Sequence, residues 1–473
     1  MSHVHLSREL LEAADRGELP QGFLFDVLVQ HLAARCPTCA RALADWTAWR
    51  KVRGTPAATG STVRTVAALL DRLPRELAAA DRALRRARED LRRLRRLPPE
   101  ERIPAMERSR TRLRGPDLAE LALEEARRHL PGAPREAFSW AAVAGHAVLW
   151  TPGVPFHRPG RTGLERRCWA LQARAFAHAG NALRAQEGYA EAEASFERAW
   201  SALRYGGVTD LAAHAEVACL EASLHRARRR FAAADETLRM AATLYRVLGH
   251  RERLARAHLT QSTIYQAWGR PEEALEAAEA AEAALLRRAG RRRTGAQAEP
   301  PRPPEPDPRL LLMARHNRTD YLCDLGRFTE ASGLLEANRH LYARFDDPWT
   351  QLRLAWVEGR VARGLGRAGA AEERLLTARE GFQREGAAYD VALVSLELAG
   401  LYLEQGRSAG VLELAREMAA TFRRVGVHRE AREAAELFAR AAAQQEVTGR
   451  LLARLAHYLR QARYGPGIAF QKP

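Results

Sequence analysis

A glycine–arginine pair that returns at near-constant spacing constrains this chain more than any other feature. Gly269-Arg270, Gly326-Arg327, Gly366-Arg367 and Gly406-Arg407 each close an amphipathic helical segment. Five residues past each glycine stands Ala274, Ala331, Ala371 or Val411, and seven positions before it stands Ser262, Thr319, Gly359 or Ala399. The same frame fits two earlier copies, through Gly180, Ala192, Phe196 and Ala199, and through Ala222, Ala234, Leu238 and Ala241. Six copies over residues 167–424, most of them 40 to 42 residues apart, mean a stacked array of one repeated unit.

Two antiparallel helices joined by a short glycine turn approach closely only where the facing residues are small. A larger apolar residue four positions after the second small one then fills the space beside it. Phe196, Leu238, Leu335 and Leu375 hold that place. In spacing and residue class these copies resemble the tetratricopeptide repeat family, whose third small position is matched by Ala199, Ala241, Ala281 and Ala378. They exceed the family's usual length of about 34 residues, and Asn338, Met418 and Val411 depart from its small positions. Longer helices and a degenerate end account for both.

The resemblance implies an all-α chain built on a right-handed α-solenoid, with the first helix of each pair lining a concave groove. Carrying those positions over gives Arg174, Asn181, Arg184, Arg226, Arg256, His316, Arg353, Trp356, Arg360 and Arg363. Several arginines on one wall suit carboxylates or an acidic helix, through charge-assisted and often bidentate contacts. Ordinary solvated side chains are the alternative, and Trp356 reads equally well as a residue packed between helices.

Composition agrees with an all-helical array: 46% of residues are hydrophobic and 7% aromatic, which suits helix on helix better than sheets. The net charge is +17, and because Lys51 and Lys472 are the two lysines, 73 arginines supply nearly all the positive charge. Such a surface favours acidic partners. The chain holds no apolar run of about eighteen residues, and its start lacks the basic-then-apolar order of a secretory signal. The expectation is a cytoplasmic protein with no membrane partner.

Catalytic signatures do not come together. Lys51 precedes Val52 and Lys472 precedes Pro473, so neither completes a phosphate loop. No Gly-X-Ser-X-Gly elbow occurs, and the histidines outside the N-terminal head stand singly. The expectation is a protein that binds without performing chemistry.

Residues 1–53 read as three short helices. Ser7 caps the first, which ends at Gly17; Pro20 opens the second and Pro37 the third, which reaches Trp46 and Trp49. At the last junction the turn Cys36-Pro37-Thr38-Cys39 lets two thiolates converge on one ion, and His31 can add a third ligand. His5 or His3 completes a tetrahedron. A redox pair and metal-free cysteines are the alternatives.

Together with Leu10-Leu11 and the stretch from Asp15 to Leu19, this pattern resembles the zinc-binding anti-sigma factor domain of bacteria. The resemblance implies a structural Zn2+ held by His31, Cys36 and Cys39, with His5 ahead of His3 as fourth ligand. It also implies a sigma factor or similar regulator as the head's partner. The spacing from His31 to Cys36 is one residue longer than the family's.

Residues 54–116 join head to array. After a small, polar linker, Leu77, Ala80, Leu84, Ala87, Leu91 and Leu94 form a heptad seam, which predicts a helix packed on a partner helix. The arginines from Arg82 to Arg114 are diluted by Glu89, Asp90, Glu100, Glu101 and Glu107, with no interleaved aromatics. They read as a solvated face more readily than as a nucleic-acid contact. Residues 117–166 read as a diverged first helical pair, with Ala137, Ala141 and Ala144 at small positions, and an insertion from Trp150 to Gly163. A second insertion, 289–308, carries three arginines and a proline-rich run and reads as a mobile loop. It stretches the interval between Ala274 and Ala331 to 57 residues. Two helices in 425–464 are expected to cap the array, ahead of a tail at 465–473.

These features point to a regulatory adaptor whose groove holds a protein or peptide. The alternatives are a nucleic-acid-associated protein using the basic helix, and a purely structural scaffold.

Overall fold

A computed structural model describes residues 61–109, 112–286, 306–425, 427 and 429–462, with the side chains of 61–77 and 430 excepted. The zinc-binding head with His3, His5, His31, Cys36 and Cys39 lies outside the described residues, as do nearly all of the 289–308 insertion and the tail. Every regular element among the described residues is an α-helix. The chain divides into two compact units, and the division falls inside one helix. One unit ends at Phe176 and takes in Arg204–Val208; the other holds Ala177–Leu203 and the residues from Thr209 on.

The first unit contains α1 (Ser61–Leu94), α2 (Pro99–Arg108), α3 (Pro116–His129), α4 (Pro134–Leu149) and the start of α5 (Gly163–Ala185). The heptad seam is visible in burial, since Ala87, Leu91 and Leu94 are buried where α1 meets α3. Helices α3 and α4 pack against each other, and Ala137, Ala141 and Ala144 are buried in α4. Part of the arginine excess is structural here. Arg102, 3% exposed, stacks over Trp140 at 4.0 Å and donates to the Leu94 carbonyl and the Ser139 hydroxyl. Arg95 forks onto the buried Glu125 carboxylate at 2.7 and 3.1 Å.

The second unit is a succession of helical pairs. The end of α5 pairs with α6 (Tyr189–Tyr205), α7 (Leu211–Ala227) with α8 (Phe231–Leu248), and α9 (Arg251–Trp268) with α10 (Pro271–Leu286). Next come α11 (Pro308–Asp324) with α12 (Phe328–Tyr342), α13 (Pro348–Gly364) with α14 (Ala368–Arg384), and α15 (Ala388–Glu404) with α16 (Ser408–Val425). The sequence reading places its six copies over the same stretch, residues 167–424. The small and large positions interlock as their spacing requires. A methyl added at Gly180 would sit 3.0 Å from the Phe196 ring, and one at Gly359 would sit 2.7 Å from Leu375.

The turn chemistry is uniform. Gly269, Gly326, Gly366 and Gly406 all take left-handed φ between 70° and 80°. The following arginine N–H of each returns to a carbonyl five residues back, at 2.8 to 2.9 Å, which satisfies an orphan acceptor at the helix end. The first two copies close the same way without glycine, placing Glu187 and Arg229 at φ 65° and 56°. Asn338, Val411 and Met418, the departures from the small positions, are all buried; the Asn338 amide oxygen accepts from Arg315.

Two helices follow the array, α17 (Arg429–Ala443) and α18 (Gly449–Ala462). Helix α17 packs on α16, as a terminal cover would. Helix α18 goes elsewhere: besides touching α17 it packs against α15 and α9, the first helices of the sixth and third pairs.

Candidate functional site

The first helices of successive pairs stand side by side, α9 next to α11, α11 next to α13, and α13 next to α15. Their exposed edges make a wall on which polar side chains line up by repeat register. Asp320 and Arg360 stand six residues before their turn glycines, Gln266 and Arg363 three before, and Asp324 and Glu404 two before. A repeat that stacks in register places such residues beside one another on neighbouring helices.

Arg360 is the centre of this wall. It is 7% exposed and reaches three carboxylates: Asp320, Asp324 at 2.7 Å and Glu397 at 3.1 Å. Its Nη1 also donates to the Asp320 carbonyl at 3.2 Å. Burial works against the charge, but the three acids outweigh it and push the guanidinium pKa further up. Arg363 continues the line, donating to Glu397 at 2.9 Å and to Glu404 at 2.7 Å. On the other side the Gln266 amide bridges Asp320 and Asp324, at 3.1 Å to each. Desolvation alone would raise the pKa of the partly buried Asp324; Arg460 and Arg360 outweigh that and hold it down at about 2. The acids and guanidiniums of this network are partnered within the chain, the condition under which buried charges are tolerated.

His316, one turn before Asp320 on α11, takes a hydrogen bond with the Tyr342 hydroxyl at 2.9 Å through Nδ1. Burial, reinforced by Arg353 and Arg360 against the pull of Asp320, lowers its pKa to about 4. It is therefore a neutral imidazole at physiological pH. Arg353 is exposed on α13. Trp356 packs edge-on against Phe382, ring centroids 5.9 Å apart, which is the interhelical placement.

The remaining groove positions fall into smaller groups. Arg184 donates to Asn181 at 2.8 Å, and burial, followed by the neighbouring Arg226, lowers its pKa to about 10. Arg226 reaches Thr263 on α9 at 3.3 Å, and Arg256 is largely exposed, 3.4 Å from Asp307. Arg174 lies in the first unit, where both oxygens of Glu120 accept from its Nη1 at 3.0 Å. The structure thus brings His316, Arg353, Arg360 and Arg363 together in one region and Asn181, Arg184 and Arg226 in another.

The acids of the wall, Asp320, Asp324, Glu397 and Glu404, were not singled out by the sequence reading. Asp324 and Glu404 share an offset of two residues from their turn glycines, while Asp320 and Glu397 stand six and nine before theirs, so no single offset marks the set. Arg460 was missed for a different reason, since it belongs to α18. That helix lays its apolar residues Leu451, Leu452, Leu455, Tyr458 and Leu459 into the core and directs a polar edge at the wall. Arg460 meets Asp324 at 3.3 Å, and the Gln461 amide donates to the Ala267 carbonyl at 2.8 Å. His457 covers the α9–α10 turn so closely that a methyl on Gly269 would sit 3.2 Å from its ring. Between α18 and the wall remains a cavity of about 400 Å³, lined among others by Asp324, Arg360, Arg363, Glu397, His457 and Arg460.

Among the described residues no cluster of histidine, cysteine and acidic side chains could hold a metal ion, and no helix is long and apolar enough to cross a membrane. Cys168, Cys219 and Cys323 are free thiols. Burial pushes Cys219 and Cys323 up to about 12, so neither is a thiolate nucleophile at neutral pH.

No family profile matches the chain, and no curated protein matches it. Among solved structures it is similar to a Rap protein complexed with Competence and Sporulation Factor, at 12% identity over 72% of this chain and 100% of that one, with a TM-score of 0.38. It is also similar to aspartyl phosphate phosphatase F from Bacillus subtilis, at 12% identity over 95% of this chain and 97% of that one, with a TM-score of 0.40.

Proposed function

We propose that this chain is a regulatory adaptor that receives a helical segment of another protein on the wall formed by α9, α11, α13 and α15. The observation that carries this reading is α18 itself, a helix already resting on that wall with its apolar face buried and its polar edge bonded to first-helix residues. A surface that holds one amphipathic helix has the shape and the mixed apolar and ionic chemistry that helix-in-groove recognition uses. The role is binding, without turnover of a substrate.

A photo-crosslinking residue placed at Arg353, exposed on a first helix, compared with one at Glu336, exposed on the second helix α12, tests the reading in the native host. A defined protein captured from position 353 and not from 336 supports it; capture from 336 alone, or equally from both, sinks it.

The finer proposal concerns residues 1–53. There His31, Cys36 and Cys39, with His5 or else His3, would hold one structural Zn2+ and so fold a head that engages a sigma factor or similar regulator. It rests on the sequence pattern, and on the rule that four filled positions leave a zinc ion no catalytic vacancy.

A further inference from the structure

We infer that the first unit carries an anion site of its own, a cleft between α1 and the segment leading into α3, and that its ligand is a short linear oligophosphate. This site shares no residue with the wall of first helices, so its failure would leave the helix-receiving reading untouched.

The site is assembled from two places in the chain. Arg82, Arg85, Arg86, Glu89 and Arg93 recur at intervals of three and four, which sets them along one face of α1. A rise of 1.5 Å per residue spreads the row from Arg82 to Arg93 over about 16 Å. At the edge of the row Asp90 is 4% exposed, and its carboxyl accepts the backbone N–H of Leu113. Leu113 is itself buried and holds a left-handed φ of 61°, so the bond ties the bend before α3 to α1. That bend sets Arg112 beside the row and closes a cleft of about 520 Å³, lined by the five arginines with Glu89 and Asp90.

Charge selects the ligand. Five guanidiniums meet two carboxylates in the lining, and Asp81, one turn before Arg85, adds a third at its margin. Among the described residues the lining forms one ion pair, Arg93 with Asp90 at 3.7 Å. Burial raises the Asp90 pKa despite the charges of Arg93, Arg112 and Arg86. Other arginines of this unit are engaged internally, Arg95 by Glu125 at 2.7 Å and Arg102 by Glu136 at 2.5 Å. Arg82, Arg85, Arg86 and Arg112 are exposed instead.

A phosphate chain carries charge on every unit and presents oxygens in pairs that match the guanidinium fork. The lining has no apolar residue, so an amphipathic helix finds no anchor in it. It has no aromatic ring either, so a nucleobase finds no platform on which to stack. Because the arginines are solvated, one phosphate binds weakly, and linked phosphates bind more tightly because the later contacts are intramolecular.

The test is isothermal titration calorimetry on the full chain at low ionic strength, with phosphate, pyrophosphate and tripolyphosphate as probes. Affinity should climb by roughly tenfold or more from phosphate to tripolyphosphate. Arg86→Gln combined with Arg112→Gln should weaken tripolyphosphate binding by roughly tenfold or more. Arg88→Gln combined with Arg92→Gln removes the same charge from exposed positions of α1 outside the lining, and should change it by less than about twofold. All four positions are exposed, and the melting temperature of each double variant checks that the fold persists.

Adenosine triphosphate separates two sources of the same chemistry. Binding equal to that of tripolyphosphate points to the inorganic chain, tighter binding points to the phosphate tail of a nucleotide, and both uphold the site. No binding of tripolyphosphate, equal affinity for the three probes, or equal loss in the two double variants overturns it. Tighter binding of a glutamate-rich peptide or a single-stranded oligonucleotide also overturns it, and would make the row a docking face for a macromolecule.

Discussion

Arg360 concentrates the electrostatics of the second unit into one side chain. Removing it leaves Asp320, Asp324 and Glu397 facing one another in a poorly solvated place, and uncompensated buried charge is among the costliest defects a fold can carry. Arg360→Met should lower unfolding stability by about 3–5 kcal/mol, read as a shift of the urea midpoint. Arg360→Lys keeps the charge but not the planar fork that reaches three acids, and should fall between. An Arg360→Met chain as stable as the parent would mean that the network contributes nothing.

His316 makes the same region sensitive to acid. In the folded chain it stays neutral down to about pH 4, whereas unfolded it takes up its proton near pH 6.5. Between those values the unfolded state binds the extra proton. The full stability contribution is therefore present above pH 6.5 and is lost progressively as pH falls toward 4, by roughly 2–4 kcal/mol from this residue. Melting curves at pH 7 and pH 4.5 should show a smaller drop in His316→Gln than in the parent; equal drops would assign the acid sensitivity to other groups.

At the scale of the helix, the repeat is held by contacts in which glycine is a packing residue. A methyl on Gly364, at the end of α13, would lie 2.1 Å from the Phe328 ring that opens α12. Gly364→Ala should therefore destabilise by about 1–3 kcal/mol through overpacking, against the gain of up to about 1 kcal/mol that alanine normally brings to a helix. A stabilised variant would show that the ring moves aside freely. The turns predict the opposite sign. Glu187 occupies a left-handed position that the later copies give to glycine, so Glu187→Gly should raise stability by about 0.5–1 kcal/mol, measured by thermal denaturation. No change, or a loss, would mean that the carboxylate has a compensating role.

The pairs themselves were legible because small and large residues at a fixed interval are a direct record of which helix touches which. The wall acids were not, because a carboxylate two, six or nine residues before a turn looks the same whether solvated or paired across a repeat. The arginines were legible as first-helix residues but not as partners of the chain's own acids, since that pairing depends on how neighbouring repeats stack.

For the whole molecule, the N-terminal head makes a compositional prediction. Full-length chain purified under reducing conditions should carry one equivalent of zinc by elemental analysis, and Cys36→Ser should lose it while the array's helical signal persists. Metal-free parent protein would dismiss the zinc reading and leave the array as it stands. The division of the described chain inside α5 was not foreseen. The repeat frame begins its first clear copy at residue 167, and nothing in that frame records which residues cluster with which part of the chain.

What the sequence determined by itself, among the described residues, was local: helices, their pairing, the glycine turns and the residues that interlock. Each of these is fixed by neighbours fewer than about fifty residues away, and periodicity reports them faithfully. The destination of α18 was decided only in three dimensions. Its apolar stripe states that it must be covered, but Arg460 and Asp324 are 136 residues apart. Shape and charge on the stacked first helices select α15 and α9 as the surface that covers it.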